Sequence, residues 1–399
     1  MNQELTPFHK TVVGVQFLFV AFGALVLMPL LVGLDPSTAM LSAGVGTLIF
    51  HVVTKGKVPV FLGSNFAYVA PILLSAKLWG FPGVFTGFLG VAVVYFTVAA
   101  LVRLYGTAFL DRIFPPVVIG PTIMLIGLSL APTAVDMAKK NWLLAVIALA
   151  VSVAVLMWAK GLLNLLPIVT GVAVGYAAAL CLGQVDLTPL REAPWFALPA
   201  SVAHPKLPML SWQPFFVMMP IALASIIEHV GDVYVISHVA GKDFVHEPGL
   251  HRTILGDGLA ILFGAFAGGP PVTTYSEVTG AIQITKVTDP KVLRITAVAA
   301  ILFSVLGKMN AFLQTIPQAV LGGIMMMLFG TIASVGVQSM THHKVNFSAT
   351  RNTVIIALML SIGVGGAVFT VGSFSLSSIG LAAIVGIILN LILPGRHGK

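Results

Sequence analysis

Charge is what this sequence has least of. Only 9% of its 399 residues are Asp, Glu, Lys or Arg, where a soluble domain carries about 25%. So few ionic groups cannot cover a soluble surface, and a water-soluble globular protein is excluded. A single cysteine, Cys181, excludes a disulfide framework within the chain. There is no Gly-rich phosphate loop, no His/Cys spacing suited to a metal, and no Ser-His-Asp cluster. An enzyme is therefore not expected, nor is a cofactor or a bound metal. No cleavable signal peptide is evident, because the first apolar stretch, from about Thr11, is too long and further spans follow it. The net charge of +8 does not imply nucleic acid. The basic residues sit in short loops, where membrane topology accounts for them.

What is present is apolar. Hydrophobic residues make up 58% of the chain and the mean hydropathy is +1.02, which reads as an all-α polytopic membrane protein. Segments of bilayer-spanning length fall near 11–33, 37–54, 79–101, 115–131, 142–159, 162–183, 214–237, 252–269, 291–307, 316–336, 352–371 and 376–394. Two more, 60–76 and 270–285, are shorter and interrupted by Gly and Pro. Counting both as crossings predicts fourteen spans with both termini on one side. Fifteen of the 21 basic residues then share the side of the termini and six lie opposite. That bias predicts cytoplasmic termini in a plasma membrane, the inner membrane of a bacterium.

The segments "FPPVVIGPTIM" (114–124) and "IPQAVLGGIMM" (316–326) echo each other. The two interrupted segments stand about the same interval apart. Fourteen spans then divide as seven plus seven, with the second copy inverted: residues 1–183, an extracytoplasmic loop 184–213, and residues 214–399. Paired broken segments in inverted repeats point to a transporter whose ligand lies where they meet. Irregular backbone at that depth survives only inside protein or beside a cavity. Pro59, Gly63 and Pro71 in the first segment, and Gly268, Gly269, Pro270 and Pro271 in the second, predict extended chain passing into half-helices. Their N-termini offer free N–H donors to carbonyl oxygens. The 184–213 loop, with Trp195 and Trp212, reads as a lid or an interfacial stretch.

Four acids fall within the spans: Glu228, Asp232, Asp257 and Glu277. The only Lys or Arg inside these ranges, Arg252, Lys291 and Arg294, stand in the first turn of a span, so none lies deep enough to neutralise the acids, which suits proton carriage or ligand binding. Glu228 and Asp232, four apart, share one helix face. The ordinary readings are headgroup solvation for Asp232 and structural pairing with Ser, Thr or His for Asp257. His229 and His238 are candidate proton shuttles or merely solvated helix-end residues. Phe66 and Tyr68 are candidates to stack on a ring, or simply packing.

The stretches "KGKVPVFLGSNFAYVAP", "EHVGD", "EPGLHRTILGDGL" and "TTYSEVTGAIQITKV", with the first span, resemble the nucleobase–ascorbate transporter family, whose bacterial members include uracil and xanthine permeases. The resemblance covers essentially the whole chain. It implies a core domain (about 11–101 and 214–307), a gate domain (about 115–183 and 316–394), proton symport and a homodimer. It places Glu228 and Glu277 on the substrate, with the aromatic of Phe66 and the backbone of Phe66 and Ser276 beside it. Tyr275 and Asp232 join the substrate-binding candidates, and Glu228, Asp257 and Glu277 the proton-coupling ones. Phe329 and the pair Gly322–Gly323 are expected on the gate side, facing the core domain across the ligand. Three departures stand out. Val278 replaces the family's usual Asn, Gln16-Phe17 replaces Gln-His, and Asp232 is the residue of purine-type members, while Glu277 leans toward uracil. The expected function is proton-coupled import of a nucleobase, uracil first and xanthine or another purine second, with an anion transporter of the same architecture as the distant rival.

Overall fold

A computed structural model describes residues 6–106, 113–371, 374–376 and 378–394. Arg112, Arg396 and Lys399 of the charge tally lie outside the described residues. The chain begins with helix α1 (Pro7–Val20), a π-helical turn (Gly23–Leu27), α2 (Met28–Val32) and α3 (Pro36–Val53), which is opened by the side chain of Asp35 accepting from Ser37 N at 3.2 Å. Strand β1 (Leu62–Ser64) leads through a 3₁₀ turn, Phe66–Tyr68, into α4 (Val69–Tyr105). From Phe66 to Tyr105 is 40 residues, roughly 60 Å if straight, twice the hydrocarbon thickness. It is not straight. Gly80, at φ 67 and ψ −174, breaks it into a half-helix and a full helix, in a conformation that residues with a Cβ rarely adopt.

Next come α5 (Pro116–Ala138), α6 (Trp142–Trp158), a 3₁₀ turn (Gly161–Leu165) and α7 (Pro167–Cys181). Two short helices follow, α8 (Thr188–Glu192) and α9 (Ala200–Ala203), and then the long α10 (Trp212–Ala240). After α11 (Leu250–Ala267), strand β2 (Val272–Thr274) feeds α12 (Ser276–Thr285). The chain closes with α13 (Pro290–Ser304), α14 (Gly307–Gln314), α15 (Gln318–His342), α16 (Thr350–Val364), strands β3 (Phe369–Val371) and β4 (Phe374–Leu376), and α17 (Ser378–Ile392).

Among the described residues, six helices are long and apolar enough to cross a bilayer, seven if the bent pair α1–α2 is one span. Fourteen crossings are not established by length and hydropathy, because α6, α7, α16 and α17 are shorter apolar helices. The expected span 352–371 is also corrected. Helix α16 ends at Val364, and residues 369–371 pair with 374–376 as an antiparallel hairpin.

Two sets of helices pack side by side. One joins α1, α3, α4, α10, α11 and α13; the other joins α5, α6, α7, α15, α16 and α17. In the second set α5 and α15 run antiparallel, with Gly120 against Gly336, Gly127 against Phe329 and Ala333, and Gly322 against Met137 and Ala138. Small residues at these crossings let the backbones approach, which is how helices associate when lipid supplies no hydrophobic drive.

Strands β1 and β2 cross at the centre of the first set. They pair antiparallel, Leu62 with Thr274, Gly63 with Thr273 and Ser64 with Val272, and all six residues are buried. Each extended segment thereby satisfies the other's backbone, as the interior of a membrane protein demands. Asn65 N donates to Pro271 O at 3.0 Å, extending the ladder. Gly63 is needed because a methyl group there would come within 2.8 Å of Ala24 Cβ and 3.1 Å of the Tyr275 ring.

The 184–213 loop straps one end of the first set. Ala200 N donates to Asp35 Oδ2 at 3.2 Å, Thr86 Oγ1 to Met209 O at 2.6 Å, and Lys308 Nζ to Leu190 O at 2.8 Å. Trp195 and Trp212 stay exposed.

Candidate functional site

The strand crossing sets two helix starts against α10. The 3₁₀ turn starts at Phe66, capped by Asn65, whose Oδ1 accepts Ala67 N at 2.7 Å. Helix α12 starts at Ser276 and has no side-chain cap; Val278 N donates to Tyr275 O at 3.1 Å, which leaves only the N–H groups ahead of it without a partner from the helix. Helix α10 carries Glu228, and Asn65 reaches it: Nδ2 donates to Glu228 Oε2 at 2.9 Å and to Ser225 Oγ at 2.8 Å. The Ser225 hydroxyl in turn meets Tyr95 Oη at 2.6 Å. Glu228, Ser276 and Glu277 are half-buried, so both carboxylates lie at an accessible edge of an otherwise closed interior.

The other two acids are tied down. Asp232 is buried and accepts from Ser276 Oγ at 2.7 Å, which replaces the headgroup-solvated reading with a link between α10 and α12. Asp257 is fully buried on α11 and accepts from Thr273 Oγ1 at 2.7 Å. Its Oδ2 lies 2.8 Å from His229 Nδ1, and His229 Nε2 lies 2.9 Å from Thr253 Oγ1. His229, read as a proton shuttle or a solvated helix-end residue, is wholly buried, which removes the solvated reading. This knot joins α10, α11 and β2, the elements that carry Glu228 and precede Glu277. His238 is exposed. Among the described residues no lysine or arginine forms an ion pair with any of the four acids.

The aromatic candidates divide. Phe66 meets Phe329 of α15 edge to face, ring centroids 5.6 Å apart, so the two helix sets touch at this pair. Tyr68 is fully buried and serves as packing. Tyr275 is buried with its ring over Gly63 and its hydroxyl beside Gly23 in the π-helical turn. Gly322 and Gly323 require a correction. They do not face the first helix set: Gly322 packs on the backbone of Ala134 and Ala138 in α5, and Gly323 on Ala145 in α6. Asn65 is the polar residue that sequence reasoning missed. Its signal was present, an amide just before a half-helix in "GSNFAY".

The arrangement is a pair of hydrogen-bond acceptors, Glu228 and Glu277, with an uncapped helix start beside one of them. It suits a small neutral ligand that presents N–H donors next to carbonyl acceptors. A family model described as "Permease family" matches residues 8–372. The chain belongs to the nucleobase–ascorbate transporter family of permeases. It is 47% identical to a probable uracil permease of Haemophilus influenzae, over 99% of this chain and 96% of that one. It is 44% identical to the uracil permease of Bacillus caldolyticus, over 96% of this chain and 91% of that one. Among solved structures, the transmembrane domain of the cyanobacterium bicarbonate transporter BicA superposes with a TM-score of 0.64 at 15% identity, covering 96% of each chain; that likeness concerns the fold alone. This permease is an integral membrane transporter and not an enzyme.

Proposed function

We propose that this permease imports a nucleobase together with protons, with uracil as first substrate and xanthine or another purine as second. The observation that carries the reading is the pair Glu228 and Glu277, half-buried, without cationic partners among the described residues, on two elements that the β1–β2 crossing holds together. A pyrimidine base offers ring N–H groups flanked by carbonyls. The carboxylates accept the N–H bonds, and the start of α12 donates to a carbonyl. Uracil is placed first because the relatives quoted above are named uracil permeases and because Glu277 stands where the resemblance leans toward uracil. Asp232 is the feature that keeps a purine second.

Proton coupling follows from the same acids, since carboxylates in a membrane interior without basic partners are stable when protonated or paired with ligand. A seven-plus-seven inverted repeat is supported by two antiparallel pairings, β1 with β2 and α5 with α15, each between segments roughly 200 residues apart. The two helix sets would then act as core and gate, with both termini cytoplasmic, and family resemblance adds a homodimer. An anion is disfavoured, because the candidate site is built on the carboxylates Glu228 and Glu277, which no lysine or arginine pairs among the described residues.

The test is uptake of labelled bases by transport-deficient cells, with and without a protonophore. Uracil should accumulate and the protonophore should abolish accumulation. Accumulation that survives collapse of the gradient overturns proton coupling, and accumulation of no base overturns the substrate class.

A further inference from the structure

A cavity of about 190 Å³ adjoins Glu277. One wall is the face of α12 formed by Glu277, Gly280, Ala281 and Ile284, residues three and four apart and so aligned along the helix. The facing wall is Asn164 and Leu165, at the end of the 3₁₀ turn, with the start of α7, and Phe19 and Val20 of α1 also line the cavity. The α12 wall leads to Lys286, and Lys160 precedes the facing wall. By the bias of basic residues, the cavity extends from the substrate carboxylate toward the cytoplasm.

Two observations mark this cavity as more than a packing fault. The Oδ1 atom of Asn164 is buried and has no hydrogen-bond partner, whereas buried polar atoms are nearly always paired. Its neighbours on that wall, Leu165, Leu166, Pro167 and Ile168, offer only apolar side chains. On the other wall, a methyl group added at Gly280 would meet no atom within 4 Å. Glycine weakens a helix relative to alanine, and no close packing explains it here. What Gly280 provides is width, one turn beyond Glu277.

We propose that Asn164 and Glu277 form a second, cytoplasm-side station for the transported base. Asn164 takes a lactam edge of the ligand, a ring N–H beside a ring carbonyl: Oδ1 accepts from the N–H and Nδ2 donates to the carbonyl. A pyrimidinedione ring carries more than one such edge. It can therefore stay on Glu277 through one N–H while presenting another edge to Asn164. This station rests on the nucleobase reading above and deepens it, since it assigns a polar partner to the exit half of the route.

The test combines equilibrium binding of labelled uracil to purified protein with transport in vesicles of both orientations. Asn164→Leu removes both hydrogen bonds while keeping the branched shape and heavy-atom count of the side chain. Binding should stay within about threefold of wild type, because the first station is untouched. The KM from the cytoplasmic face should rise about tenfold or more, as expected for the loss of two hydrogen bonds of modest net worth, while the KM from the opposite face is unchanged. Asn164→Gln should recover part of the loss. An Asn164→Leu variant that melts like wild type and keeps the wild-type cytoplasmic KM overturns the station. Should that variant not fold, Gly280→Leu carries the test, since its side chain enters open space: wild-type transport through the filled cavity overturns the proposal, and slowed transport with binding retained supports it. If the wild-type protein itself binds no nucleobase, the functional reading fails, and with it the station. That result is distinguishable because the unmutated control fails.

Discussion

Replacing Asn65 with alanine removes three hydrogen bonds at once, and the structure says what each does. The bond from Ala67 N caps the half-helix that follows β1, worth about 1 kcal/mol. The bond to Ser225 is neutral and buried, worth about 1 kcal/mol. The bond to Glu228 reaches a carboxylate and is worth about 1.5–3 kcal/mol when that group is charged. The sum, about 3.5–5 kcal/mol, is an upper bound, since water entering at the half-buried edge recovers part of it. A net loss of about 2–3 kcal/mol is expected, read as a clear drop in melting temperature of the detergent-purified protein. Affinity should fall about tenfold, because Glu228 loses the donor that orients it. Asn65→Asp separates the two effects. It keeps an oxygen for Ala67 N but sets a second carboxylate beside Glu228, so it should spare more of the stability and less of the binding. An Asn65→Ala protein with wild-type melting temperature and wild-type affinity would refute the argument that this amide organises the site.

The other expectations concern the ligand carboxylate and the α5–α15 crossing. Glu277→Ala should abolish nucleobase binding by purified protein while expression and melting persist, and calorimetry showing wild-type affinity would remove Glu277 from the site. Glu277→Gln exchanges an acceptor for a mixed donor and acceptor and should move preference toward purines in a competition assay; an unchanged ranking would count against that role. Gly322→Leu drives a side chain into the backbone of Ala134 and Ala138. Overpacking of this kind costs about 1–3 kcal/mol or more, so binding and transport should fall together with yield. A well-folded variant that binds normally and is slow only in transport would restore Gly322 to a sliding surface.

How much was legible beforehand depends on the range of the interaction concerned. Composition alone determined that this is a membrane protein, because so few charges leave no other solvent for its surface. Hydropathy located the helices, and Gly and Pro marked the two broken segments, because those signals act within a few residues. The 3₁₀ turn at Phe66 falls inside the first broken segment, and the chain breaks again at Gly80, just inside the start of the expected span 79–101. The four membrane acids, Glu228, Asp232, Asp257 and Glu277, stood out as candidates too, since an acid among apolar residues is conspicuous whatever the fold. The partners of those acids were not. Asn65 meets Glu228 across 163 positions, and Asp257 reaches Thr273 only because β2 crosses β1. His229 looked like a helix-end residue until α11 packed over it. Gly322 and Gly323 look alike in sequence to any pair at a moving surface, and only the position of α5 and α6 makes them packing residues. The hairpin at 369–376 shows the same limit from the other side. Its residues are apolar enough to continue α16, and pairing between two extended segments decided otherwise. Side-chain chemistry and local backbone preference are properties of the chain itself, while hydrogen-bond partners and close approaches between distant segments exist only once the helices are packed.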